Sequence, residues 1–171
     1  MRDFDDNEFP LAYLITFRCY GTWLHGDKRG SMDRKQNVYG APKIASNVAL
    51  ESSDSRQRSN SPFVLNSTQR RIVEQAIREV CEHRKYQLRA INVRTNHAHS
   101  VVSAMQKPEP ILDAFKSYST RALRRAGLIS PSVKPWARHG STIYLWKERD
   151  VAKAIEYVVL GQGDKLFELD D

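Results

Sequence analysis

Two stretches of helical periodicity, at residues 66–84 and 108–126, bracket a pair of extended segments joined by a short Asn-containing junction. That arrangement constrains the fold more than any other feature of the chain. Asn66-Ser67-Thr68-Gln69 reads as a helix start, a cap residue with Gln three positions on. Ile72, Ala76, Ile77 and Val80 then supply one apolar face, which predicts a helix to about Arg84. Residues 86–95 alternate weakly and residues 97–104 supply a partner, so an antiparallel hairpin is expected. Pro108 and Pro110 open the second helix, with Ile111, Leu112, Phe115, Ser119, Ala122, Leu123 and Ala126 on its buried side. Gly127 followed by Leu128 fits a left-handed cap with its hydrophobic contact.

The flanks complete the order. Residues 11–19 are rich in β-branched and aromatic side chains, without Gly or Pro, and read as a strand. Residues 142–146 read as a fourth strand, and Asp150 as the cap of a last helix carrying Val151, Ala154, Ile155, Val158 and Val159 and stopping near Gly161. Residues 26–65 are polar with no sustained period, too long for an ordinary connection, and are either a functional loop or partly disordered. The expectation is an α+β chain of ferredoxin-like order, β-α-β-β-α-β, with helices on one face of an antiparallel sheet and an added C-terminal helix. An RNA-recognition module shares that order, but its Gly/aromatic signature is absent from these strands. Residues 1–171 are expected to form one domain interrupted by the insertion at about 26–65.

Charge narrows the partner. The formal net charge is +7, and residues 67–149 alone hold 16 basic and 6 acidic side chains, a balance of +10. A basic middle suits a polyanion, because each neutralised phosphate releases condensed counterions. No apolar run approaches the roughly 20 residues of a membrane helix. The acidic start (Asp3, Asp5, Asp6, Glu8) has the wrong sign for a leader, and Cys19 and Cys81 lack CxxC spacing, so a reducing cytoplasm is expected.

His97-Ala98-His99 is the sharpest local feature. On a strand, positions i and i+2 share a face about 6.5–7 Å apart, so two imidazoles there can lean toward one divalent ion. The alternative is two histidines hydrogen-bonded on a solvated face. An ion beside a basic surface suits phosphoryl transfer, with water or a side-chain hydroxyl as nucleophile. Among the tyrosines, Tyr157 stands out, lying about 130° from the centre of the last helix's apolar stripe, so core packing does not account for it. Tyr118, beside Arg121 and Arg125 on the second helix, is the rival.

An ordered series of segments resembles the single-tyrosine transposases of the HUH superfamily (His-hydrophobe-His), close to the REP-associated tyrosine transposases. It comprises Ile15-Thr16-Phe17-Arg18, Gly21-Thr22-Trp23-Leu24-His25-Gly26-Asp27, Arg94-Thr95-Asn96-His97-Ala98-His99, Lys116-Ser117-Tyr118-Ser119-Thr120-Arg121, Trp136-Ala137-Arg138-His139-Gly140-Ser141-Thr142 and Ala154-Ile155-Glu156-Tyr157. The resemblance implies a ferredoxin-like core, often dimeric, that cuts and rejoins single-stranded DNA near short hairpins. By position it makes His97 and His99 the ligands of Mg²⁺ or Mn²⁺, and Tyr157 the nucleophile that leaves a 5′-phosphotyrosine and a free 3′-OH.

Two departures from the family pattern stand out. Ala98 is smaller than the usual middle residue, which touches packing more than ligation. The third ligand usually lies one helical turn after the tyrosine, where this chain has Gly161; Gln162, one further, is the candidate. Lys116, Arg121, Arg124 and Arg125 are candidate phosphate contacts on the second helix. The expected activity is therefore a metal-dependent single-strand DNA endonuclease and strand transferase, a transposase or domesticated relative acting as a homodimer. The rivals are a non-catalytic nucleic-acid-binding module and a metal-dependent nuclease using water.

Overall fold

A computed structural model describes residues 9–21, 31–32, 43–44 and 62–160. Its main sheet has four antiparallel strands, β1 (Ala12–Cys19), β4 (Gln87–Val93), β5 (His97–Ser103) and β6 (Trp136–Leu145), in the order β4-β5-β1-β6. Two short strands, β2 (Ser31–Met32) and β3 (Lys43–Ile44), pair separately within the expected insertion. The helices are α1 (Ser67–Arg84), α2 (Pro108–Arg125) and α3 (Glu148–Leu160). No described helix is long and apolar enough to cross a membrane.

Strand β1 is central because its side chains have apolar partners on both sides. Tyr13, Ile15, Phe17 and Cys19 join α1 and α2 in one core, with Val73, Ile77, Ile111, Phe115 and Leu123. Ala12 and Leu14 point the other way and meet Val101, Leu145 and the α3 residues Val151, Ala154 and Val158 in a second core. Each such aliphatic or aromatic side chain contributes about 1.5–3 kcal/mol when fully buried. The two helices of the ferredoxin-like order, α1 and α2, cover one face of the sheet as expected, and the added helix α3 covers the other. The second face is apolar over half its length, which a chain in water must cover.

Local chemistry sets the helix limits. Asn66 Oδ1 accepts from the Gln69 N–H at 2.8 Å and Gln69 Oε1 accepts from the Asn66 N–H at 2.9 Å, a complete capping box. After α2, Gly127 adopts φ 70°, and Leu128 N–H reaches Leu123 O at 3.0 Å while Gly127 N–H reaches Arg124 O at 3.0 Å. This is the left-handed cap expected at Gly127. Asp150 is not the cap of α3: its N–H already donates to Lys147 O at 3.1 Å, so the helix has begun before it.

Strand β6 starts six residues earlier than expected, at Trp136 rather than Thr142. It lies at the sheet edge, and Arg138 and His139 in its first half are both exposed, so that half has no alternating apolar pattern. Trp136 anchors that half, edge-on to Phe17 at 4.9 Å. Gly140 is required by close approach, because a Cβ there would stand 2.6 Å from Thr16 O and 2.9 Å from Leu112 Cδ2.

Candidate active site

Alternation along β5 sends Ala98 and Val102 into the first core and leaves His97, His99 and Val101 on the face covered by α3. The small middle residue of the histidine motif therefore packs away from the imidazoles, against α1 and α2. The two rings stand with centroids 4.5 Å apart. Neighbouring residues tether them: Thr16, opposite His99 on β1, places Oγ1 at 2.7 Å from His99 Nδ1, and Asn96 Oδ1 lies 2.5 Å from His97 Nδ1. Each ring thus has its Nδ1 tied to oxygen, with Nε2 as its second nitrogen. Bonds of this kind select the tautomer and orientation of a ligating histidine.

Helix α3 brings Tyr157 to the same place. Its ring lies 5.3 Å from that of His99, half-buried at the border of the second core. Asn92, the register partner of His99 on β4, donates from Nδ2 to Val158 O at 2.9 Å and so fastens the last turn of α3 over the sheet.

Burial dominates the electrostatics. It lowers His97 to about 4, with Arg18 and Arg94 adding to the shift. It lowers His99 to about 3, helped by His97, Arg18 and Arg94. Both imidazoles are therefore neutral at pH 7, the form that can bind a metal. Burial also raises the Tyr157 phenol, and Arg18 pulls it back down by less. The residues fit part of a divalent-ion centre: two neutral, tethered imidazoles on one strand face. Among the described residues, no group of three or more His, Cys, Asp or Glu completes it. Gln162 and Gly161 lie outside the described residues.

The other candidates sit elsewhere. Tyr118 is on α2, across the sheet from the histidines, with Arg121 Cζ 4.4 Å and Arg84 Cζ 5.9 Å from its ring centre. Lys116 Nζ donates to Ala137 O at 2.9 Å and His139 O at 3.0 Å, which ties α2 to β6. Arg121 bonds Ser117 Oγ at 3.2 Å, Arg124 bonds Val133 O at 3.3 Å, and Arg125 is exposed at the end of the helix. The structure thus brings His97, His99 and Tyr157 together and leaves the α2 cations on the far face. No role for Thr16 or Asn92 follows from the sequence; only the strand register reveals them, since each acts across a ladder.

Residues 58–140 match the family model described as "Transposase IS200 like". No curated protein matches the sequence. Among solved structures, a REP-associated tyrosine transposase bound to a REP hairpin is similar in fold, at a TM-score of 0.50 and 11% identity, over 94% of this chain and 70% of that one. Across residues 58–140 the chain is thus similar to the IS200-like transposases, and its fold is that of the REP-associated tyrosine transposase.

Proposed function

We propose that the chain cuts and rejoins single-stranded DNA through Tyr157, at sites marked by a hairpin or palindrome. The observation that carries this reading is the Tyr157 ring at 5.3 Å from His99, on a face that excludes Tyr118. The hairpin bound by the structurally similar transposase supports the choice of DNA.

In the proposed step, Tyr157 Oη forms a bond to the scissile phosphorus and the bond from phosphorus to the 3′-oxygen breaks. The phenol proton is lost and the departing 3′-oxygen takes up a proton, giving a 5′-phosphotyrosine and a free 3′-OH. Rejoining is the reverse, with a 3′-OH attacking the phosphotyrosine. A free phenol titrates near 10, so less than about one in a thousand is phenolate at pH 7, and burial lowers that fraction further. Proton loss therefore accompanies attack, with Arg18 the nearby positive charge that favours it.

His97 and His99, with Gln162 as third donor, would hold Mg²⁺ or Mn²⁺. When bound, such an ion supplies polarisation of the phosphate and stabilisation of the leaving oxygen. Thr16, Asn96 and Asn92 hold the imidazoles and the tyrosine helix in place. A homodimer belongs to the same reading, on the family resemblance, and its mass in solution tests it.

Incubating a labelled hairpin-bearing single strand with Mn²⁺ should give a denaturant-resistant protein–DNA adduct. Tyr157→Phe should abolish it while leaving DNA binding intact. Cleavage without any adduct, transient or stable, makes water the nucleophile; binding without cleavage makes the chain a binding module.

A further inference from the structure

The strand register surrounds the histidine pair with two arginines. Arg18 lies directly opposite His97 on β1, two residues beyond Thr16, whose hydroxyl meets His99. Alternation therefore puts Arg18 on the face that α3 covers. Arg94 follows Asn92, the register partner of His99, by two residues, and its N–H donates to His97 O at 2.7 Å in the turn between β4 and β5. The charges of both guanidinium groups act on both imidazoles, and that of Arg18 also acts on the Tyr157 phenol.

Such a setting opposes a bare cation and attracts an anion. Among the described residues, two neutral rings flanked by two positive charges supply nothing to neutralise a divalent ion. Arg is also the side chain whose planar fork matches two oxygens of a phosphate. We propose that Arg18 and Arg94 form a phosphodiester subsite that seats the scissile phosphate between the histidine pair and Tyr157. The ligand class is the DNA backbone itself, and the subsite rests on the tyrosine reading above for its role in cleavage.

Phosphodiester binding brings a negative charge into the site, so Mn²⁺ and single-stranded DNA should each tighten the other's binding by the same factor. Removing the arginines should weaken DNA binding and at the same time strengthen binding of Mn²⁺ alone. A merely structural role for the arginines would weaken both.

The test uses the full chain in a Tyr157→Phe background, a labelled hairpin-bearing single strand as DNA probe, and Mn²⁺ alone as metal probe, followed by its paramagnetic resonance. Arg18→Ala/Arg94→Ala should lower DNA affinity by about ten- to a hundredfold. It should also flatten the plot of log affinity against log salt by about 0.7, for the one phosphate no longer neutralised. Mn²⁺ affinity without DNA should rise. Arg18→Lys/Arg94→Lys, which keeps the charge, should retain most of the salt slope while losing affinity, and so guards against a poorly folded alanine variant. An unchanged slope in the alanine variant, or a fall in both affinities in the lysine variant, overturns the subsite. In the protein that keeps Tyr157, an adduct formed equally fast with and without the arginines overturns the subsite and leaves the tyrosine reading standing. Absence of any adduct, with DNA affinity still dependent on the arginines, does the reverse.

Discussion

Asn92 holds the carbonyl of Val158 at 2.9 Å, a side-chain bond from the outer strand of the sheet to the last turn of the helix that carries Tyr157. Asn92 is also the register partner of His99, so one residue links the histidine strand to the tyrosine helix. Asn92→Ala should cost about 1 kcal/mol of stability, the net value of one such bond. Its larger effect should fall on chemistry. The rate of adduct formation should drop while Mn²⁺ binding and DNA affinity hold, because only the helix that bears Tyr157 is released. Single-turnover kinetics with a labelled strand separates these quantities.

The basic residues of α2 should divide into two kinds. Lys116→Ala removes the clamp on Ala137 O and His139 O and should lower the unfolding midpoint by an amount corresponding to about 1–3 kcal/mol. Arg121→Ala, Arg124→Ala and Arg125→Ala should leave stability nearly unchanged. If the DNA stem lies along this helix, each should reduce the salt slope by about 0.7–0.9. Thermal melts and salt-dependent binding, run on the same four variants, check the division.

Acid should weaken the fold through the histidines. In the unfolded chain both rings take up protons near 6.5, whereas the folded chain resists protonation down to about 4 at His97 and about 3 at His99. Protons therefore bind the unfolded state first, and stability is complete above about pH 6.5 and declines as pH falls through that window. Urea midpoints measured between pH 7 and pH 4 should fall for the wild type. They should fall less for His97→Gln/His99→Gln, which has no imidazole to protonate.

The two thiols should be inert in the native protein. Burial pushes Cys19 up to about 12 and Cys81 up to about 11, so almost no thiolate exists at pH 8. A thiol reagent should label neither until denaturant is added, and then both. Early labelling of Cys19 alone would show that β1 opens locally.

Gly140→Ala should damage the site from behind. The added methyl would press on Thr16 O, part of the backbone whose side chain tethers His99. Strand β6 must shift away from β1, at a cost of about 1–3 kcal/mol. Melting temperature and Mn²⁺ affinity should both decrease, in contrast to Asn92→Ala.

What can be read from the sequence follows from local periodicity. The histidine pair shares a face because strands alternate, and Tyr157 falls outside the apolar stripe of its own helix. The helix starts are written in Asn66, Gln69 and Pro108 and the α2 stop in Gly127, each acting within a few residues. What cannot be read depends on pairing between distant segments. Thr16, Arg18 and Asn92 reach the histidines only through the β1–β5 and β4–β5 registers. The first half of β6 carries an edge strand's exposed pattern, which has no period to detect. The side of the sheet taken by α3 is also hidden, because its apolar stripe would fit either face.

The unequal cover of the two faces has a bearing on how such a protein can lose its activity. Helices α1 and α2 share one face, but among the described residues α3 alone shields Leu14, Val101 and Leu145 on the other, and it is also the helix that bears Tyr157. A chain shortened before Glu148 would expose that greasy surface along with losing the proposed nucleophile, and would be prone to aggregate and be degraded. A soluble, inactive descendant that still grips DNA is reached far more easily by a single change at Tyr157 than by a stop codon.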